Sequence, residues 1–261
     1  MMVTVGEIAD FLESFAPLEL AAEWDNVGLL VGDRAVVVDR LMTCLTITPD
    51  SAAEACAAGV QLIVSHHPLP FRPLRSLTTE VTAGRLLWQL ASAGVAIYSP
   101  HTAFDSASDG INALLASRLK LRNPSPLVPH PIGPGTGRFG ELPRSCTLSE
   151  FAGQLKVCLS TEHLEYVGDP EMAIANVGIA CGSAAELIPA AEAAGCDVLL
   201  TGEARFHDCL EAEARSIALV LVGHYASERP GVEHLADVLA RKYPSIETWA
   251  SRRERDPIRW M

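Results

Sequence analysis

Four short polar segments hold most of the chemistry in this sequence, and each lies just after an apolar run. Ser65-His66-His67-Pro68 follows Leu62-Ile63-Val64, His101-Thr102-Ala103-Phe104-Asp105 comes shortly after Val95–Tyr98, Glu203-Ala204-Arg205-Phe206-His207 follows Val198–Leu200, and His224 with Glu228 follows Ile217–Val222. Imidazole and carboxylate bind divalent transition metals and carry protons near neutral pH. Each segment alone also has an ordinary reading. Taken alone, His66 and His67 read as exposed loop histidines, Asp105 as a helix cap, His101 as a hydrogen-bonded core histidine, and His224 with Glu228 as a surface pair. Helical spacing would put His101 with Asp105, Glu203 with His207, and His224 with Glu228 on common faces.

Pooled, the segments supply His66, His67, Asp105, His224 and Glu228. Three imidazoles and two carboxylates are too few to saturate two separate ions. They suit two ions about 3.5–4 Å apart that share a bridging carboxylate and a water, with positions left open for a substrate oxygen. Nitrogen and oxygen donors without thiolate favour Zn, Fe, Mn, Ni or Co over Ca or Mg. His101, Glu203 and His207 are the candidate catalytic groups, as proton carriers or as residues that orient ligands. Trp24-Asp25-Asn26 reads as a turn, with the lining of a cleft as the alternative. No P-loop and no GxSxG element occurs, so neither a nucleotide kinase nor a serine hydrolase is indicated.

Elements that could position these residues follow from the hydrophobic pattern. Thr4 and Glu7 have capping-box spacing ahead of a helix over 4–15, and strands are expected at 27–31 and 36–47. Strand and helix then alternate, with helices at 51–58, 79–93 and 109–119 and strands at 61–64 and 95–98. After residue 143 come helices at 148–158, 184–194, 204–214 and 232–242, with strands at 175–180, 198–200 and 217–222. This alternation predicts an α/β fold with a substantially parallel sheet, whose ligands bind at the carboxyl ends of the strands. Residues 124–143 are dense in proline and glycine and read as a linker. The expected organisation is a first α/β lobe over 1–123, the linker, and a second lobe over 144–261 whose C-terminal segment could pack back on the first. AAEACAAGVQLIVSHH and AAEAAGCDVLLTGE are similar enough to suggest a duplication.

Composition narrows the partners. The 261 residues are 49% hydrophobic, enough for a sizeable core, and 20 Lys and Arg against 32 Asp and Glu leave a net charge of −12. Such a surface repels a bare phosphate backbone, which speaks against nucleic acid. No apolar run approaches membrane-spanning length, and the acidic N-terminal stretch reads as neither signal nor transit peptide. Seven scattered cysteines with no CxxC pair fit a reducing compartment, so the expected location is the cytoplasm.

Through EWDNVGL, SHHP, HTAFD, GCDVLLTGE and GHYASERPG, in that order and spread over nearly the whole chain, the sequence resembles the Nif-three (Ngg-interacting factor three) family, whose members are often labelled GTP cyclohydrolase 1 type 2 homologues. The resemblance implies a duplicated two-lobe α/β architecture with mixed sheets and a dinuclear metal site in the cleft between lobes. It assigns His66, His67, Asp105, His224 and Glu228 as ligands to two divalent transition-metal ions, places His101 beside them, and implies a homohexamer without the inserted domain of some members. Two functions follow as expectations: a metal-dependent hydrolase of a small polar substrate, with a nucleotide such as GTP first among candidates, or a non-enzymatic protein of metal binding, delivery or regulation.

Overall fold

Thr4 and Glu7 form the capping box that their spacing predicts: the Glu7 N–H donates to Thr4 Oγ1 (3.3 Å) and the Thr4 N–H to Glu7 Oε2 (2.8 Å). The computed structural model describes residues 2–261. From the capping box the chain runs through α1 (Val5–Phe15), β1 (Gly28–Val31), β2 (Arg40–Cys44), α2 (Pro49–Ala58), β3 (Leu62–Ser65), α3 (Thr82–Ser92), β4 (Ala96–Ser99) and α4 (His101–Ser106). It continues with α5 (Ile111–Arg118), β5 (Arg122–Ser125), β6 (Val128–His130), β7 (Gly133–Thr136), β8 (Arg138–Thr147), α6 (Leu148–Leu159), β9 (Glu165–Val167), β10 (Ala173–Ala180) and α7 (Ile188–Ala193). The last elements are β11 (Val198–Thr201), α8 (Phe206–Ala214), β12 (Ala218–Leu221), α9 (His224–Lys242) and β13 (Glu247–Ala250).

These elements form two compact units, one from the residues up to Phe104 with Gly231–Arg255, the other from Asp105–Pro230 with Asp256–Met261. In the first unit the sheet order is β1-β4-β3-β2-β13, all parallel except β1, which runs antiparallel to β4. Every residue of β3 and β4 is buried, as expected of parallel strands covered on both faces. Met42, Ile63 and Ile97 from the strands pack with Ala52 and Ala55 of α2 and with Leu86 and Leu90 of α3. In the second unit the order is β5-β8-β10-β11-β12-β9; β10, β11 and β12 are parallel, and the flanking pairs are antiparallel. Leu199, Leu219, Ile188 and Ala212 belong to its core. The fold is thus mixed α/β, less uniformly parallel than the alternation suggests.

Residues 124–143 are not a linker. They supply parts of β5 and β8 and the whole β6–β7 ribbon, and the units divide at 104/105, 230/231 and 255/256 instead. The prolines mislead because they sit where a strand can spare an N–H. Pro124 lies in the edge strand β5, and Pro143 lies in β8 where its register against β10 breaks, between the pairs Glu141–Asn176 and Cys146–Ile174. Helix α9 begins at His224, eight residues before the expected start, because Pro230 is accommodated inside it rather than ending it. No helix among the described residues is long and apolar enough to cross a membrane.

Candidate metal centre

In the first unit the donors stand at the carboxyl ends of β3 and β4. The ladder continues past β3, with the His66 N–H donating to Cys44 O (2.9 Å) and the His67 N–H to Leu45 O (2.8 Å). Ser99 Oγ donates to His66 O (2.6 Å) and Ser65 Oγ to His67 O (2.9 Å), so the backbone carrying both imidazoles is pinned. Across the sheet edge, α4 starts with His101 at a left-handed φ of 27°, a strained conformation for a residue with a Cβ. The result is a three-histidine cluster: ligand atoms from His66, His67 and His101 all lie within 4.8 Å of one another.

Two of these rings are held at Nδ1. His67 Nδ1 lies 2.7 Å from Thr46 Oγ1, and His101 Nδ1 lies 2.8 Å from Asp25 Oδ1. Asp25 also accepts from the Thr102 N–H (3.1 Å) and Thr102 Oγ1 (2.5 Å). Burial on its own would raise the Asp25 pKa, but the hydrogen bonds from His101 and Thr102 and the attraction of the imidazole outweigh it and bring it down to about 2. The turn carrying Thr46 is itself held, since Glu254 accepts from the Leu45 N–H (2.8 Å) and the Thr46 N–H (2.6 Å). Glu54 of α2 fixes the segment that delivers Glu254, accepting from Ser251 Oγ, Trp249 Nε1 and the N–H groups of Arg252 and Arg253.

In the second unit the ends of three parallel neighbours, β10, β11 and β12, lead into Cys181-Gly182, Gly202-Glu203 and Gly223-His224. His224 opens α9, so Glu228 lies one turn on, with its Oε2 3.1 Å from His224 Nε2; Glu203 Oε1 lies 3.1 Å from Nδ1. The Glu228 hydrogen bond, aided by Glu203 and opposed by burial, raises the His224 pKa to about 9. Gly182 makes room for Glu228: a Cβ there would stand 2.2 Å from Glu228 Oε1. Asp105 Oδ1 accepts from Cys181 Sγ (3.3 Å), and burial with the Asp105 and Glu228 charges pushes that thiol well up, which keeps it protonated. Buried Asn112 clasps the backbone on both sides, donating to Asp105 O (3.1 Å) and accepting from the Cys181 N–H (2.9 Å). Buried Arg138 donates to Ala107 O (2.6 Å) and Ser106 O (3.3 Å), anchoring the end of the helix that carries Asp105.

Of the residues expected from sequence, His66 and His67 cluster with His101, and His224 pairs with both Glu228 and Glu203. His101 is therefore a further candidate ligand, as well as a hydrogen-bonded histidine. Glu203 and His207 do not share a helix face: α8 starts only at Phe206, and His207 lies exposed against the Phe206 ring, 5.7 Å between centroids. Asp25 is more than the turn residue it resembles. Asp25, Thr46, Asn112, Arg138, Cys181 and Glu254 escape sequence reasoning because their partners lie far along the chain, 76 residues for Asp25 with His101 and 208 for Thr46 with Glu254. The donors fit divalent transition metals. Clustered imidazoles, carboxylates and a cradle that only glycine leaves open are the chemistry such ions select.

The fold and donors define a mixed α/β chain whose histidine and glutamate groups could hold a metal ion. Residues 3–257 match the model of the Duf34/NIF3 (NGG1p interacting factor 3) family, and the chain belongs to that family. It is 32% identical over 235 residues, covering 89% of this chain and 88% of the relative, to a GTP cyclohydrolase 1 type 2 homolog of Clostridium acetobutylicum. A NIF3-like protein 1 of Drosophila melanogaster is 31% identical over 95% of this chain and 86% of its own. Among solved structures, a hypothetical protein of Staphylococcus aureus superposes with a TM-score of 0.91 at 26% identity, covering 100% of both chains.

Proposed function

We propose that this chain is a metal-dependent hydrolase of a small polar substrate, with two divalent transition ions held by His66, His67, Asp105, His224 and Glu228. The observation that carries the reading is that His67, His101 and His224 each have a ring nitrogen held by a hydroxyl or carboxylate, which fixes ring orientation as ligating and proton-carrying histidines require. Zn, Fe, Mn, Ni or Co bound there would supply Lewis-acid activation of water and charge stabilisation at a substrate oxygen. Asp25 holds His101 Nδ1, leaving Nε2 to take up or deliver a proton, and Glu203 steadies His224 from its Nδ1 side. The name carried by the Clostridium relative makes GTP the first substrate to test. The net charge of −12 opposes an anion at long range, but divalent charge in the site reverses the sign locally.

The reading includes assembly as a homohexamer, the state implied by the family resemblance, and a cytoplasmic setting, supported by seven cysteines outside any disulfide. Light scattering tests the first. The activity test compares metal-loaded wild type with His66→Ala and Asp105→Ala across nucleotides, phosphoesters and cyclic amides. Turnover lost in both variants supports the hydrolase. If nothing is turned over while metal exchanges freely and passes to an acceptor protein, metal delivery replaces it.

A further inference from the structure

Trp24 and Phe71 keep 65% and 46% of their surface exposed, although an indole left in water contributes little to folding. Both are nevertheless held in place. Asp25, next to Trp24, is fixed by His101 and Thr102, and Asn26 Nδ2 donates to Pro70 O (2.8 Å), which ties the Trp24 segment to the residue before Phe71. The two rings touch, with centroids 6.0 Å apart and planes tilted by 38°. Each also meets the His101 imidazole edge-on, Trp24 at 6.0 Å and 76°, Phe71 at 5.9 Å and 71°. His101 belongs to the cluster with His66 and His67. An exposed, immobilised aromatic surface therefore borders the candidate metal ligands of the first unit.

Geometry selects how a ligand would use it. A ring inserted between the two side chains needs their planes about 7 Å apart, twice a contact distance of about 3.5 Å. The observed spacing and tilt do not leave that gap. A planar ligand can instead stack on the exposed Trp24 indole, which Phe71 and His101 hold in place, at little entropic cost because the platform is already ordered.

We propose that Trp24 and Phe71 form a stacking platform for a planar heteroaromatic ring of the substrate, presenting a ring or exocyclic oxygen or nitrogen to the His66, His67 and His101 cluster. This rests on the hydrolase reading above and gives it a substrate class. The occupant is a small molecule because the platform is one indole backed by Phe71 and borders His101, where a polar group of the same ligand would bind.

The test is calorimetric titration of wild type, Trp24→Ala and Trp24→Phe, each with and without zinc, using two probe pairs: GTP against tripolyphosphate, and picolinate against its saturated counterpart pipecolate. Zinc content should be equal in all three proteins, since Trp24 offers no ligand atom. A stacked base is expected to lose about tenfold in affinity with Trp24→Ala and to recover most of it with Trp24→Phe. Tripolyphosphate and pipecolate should be indifferent to either change. The proposal is overturned if neither aromatic probe shows Trp24-dependent affinity, whether both bind equally well to Trp24→Ala or neither binds at all. It is also overturned if Trp24→Ala alters the oligomer mass instead, which would make the platform a contact between copies. Failure of the wild type to take up zinc would sink the metal reading alone, because the metal-free titrations still report on the platform.

Discussion

Gly182 and Gly195 form a matched pair that isolates what the space beside Glu228 is worth. Both occupy left-handed backbone, with φ of 69° and 75°, so an alanine at either position should cost about 1 kcal/mol through backbone strain alone. Only one of them crowds the donors. A Cβ at Gly195 meets nothing within 4 Å, whereas at Gly182 it would lie 2.2 Å from Glu228 Oε1 and 3.6 Å from His224 Nε2. To reach even a 3.0 Å contact the carboxylate must retreat by about 0.8 Å, well beyond the roughly 0.2 Å that metal–ligand distances tolerate. Zinc affinity, measured by competition with a chromophoric chelator, should therefore fall about 10- to 100-fold in Gly182→Ala and less than about twofold in Gly195→Ala. Metal-free thermal unfolding should drop by similar amounts in both, about 2–4 °C for each kcal/mol. Equal zinc affinity in the two variants would refute the assignment of Glu228 as a ligand shaped by Gly182. So would a Gly182→Ala protein whose metal-free form is far less stable than Gly195→Ala, since the glycine would then serve the fold.

Replacing Thr46 by valine removes the hydroxyl on His67 Nδ1 while keeping volume, and should weaken metal binding about 10-fold with about 1 kcal/mol or less of stability lost; unchanged affinity would dismiss the role of Thr46. Glu54→Ala strips the acceptor of four donors in the C-terminal segment and should cost about 3 kcal/mol, read by urea unfolding. Burial alone would raise the Glu54 pKa, but the bonds from Ser251, Arg252, Trp249 and Arg253 lower it below 4.5. Its stabilisation is thus present above that pH and lost as pH falls through the lowered value, so the gap between wild type and Glu54→Ala should narrow in acid. His224, raised to about 9 by Glu228 and Glu203, should be an imidazolium in the metal-free protein at pH 7, stabilising it below pH 6.5 and losing that contribution as pH rises through about 9. Zinc uptake at pH 7 should then release a proton that vanishes above about pH 9.5 and shrinks in Glu203→Gln, as buffer-dependent calorimetry would show.

Elements with local signals were legible in the sequence. The capping box of Thr4, the apolar runs of β3 and β4 and the polar groups after them are written within a few consecutive residues, and the structure places them accordingly. What the sequence hides is whatever depends on distant neighbours. Proline at Pro124 and Pro143 looks like a break until the strand's edge or bulge is known, and Pro230 looks like a helix start until the first turns of α9 are seen to form before it. Glu203 with His207 shows the reverse error, in which helical spacing was real but the helix began too late to use it.

The same distinction separates the candidate ligands from the residues that aim them. A histidine after a strand announces itself by type and place, but its orientation is set by groups such as Asp25 and Thr46, whose reach to the imidazole no local spacing reveals. In the first unit this dependence reaches furthest. The turn bearing Thr46 is held by Glu254, and the segment bearing Glu254 is held by Glu54, after β13 has added to the edge of the sheet beside β2. Every link in that series is a carboxylate accepting from backbone or buried donors, the kind of bond that is short, directional and costly to leave unmade. The hydroxyl set against His67 Nδ1 is thereby fixed only once residues 247–254 have docked. Folding of the first unit and orientation of its histidine cluster are in this sense one event, and a site so arranged spends little of its binding energy on ordering its own ligands.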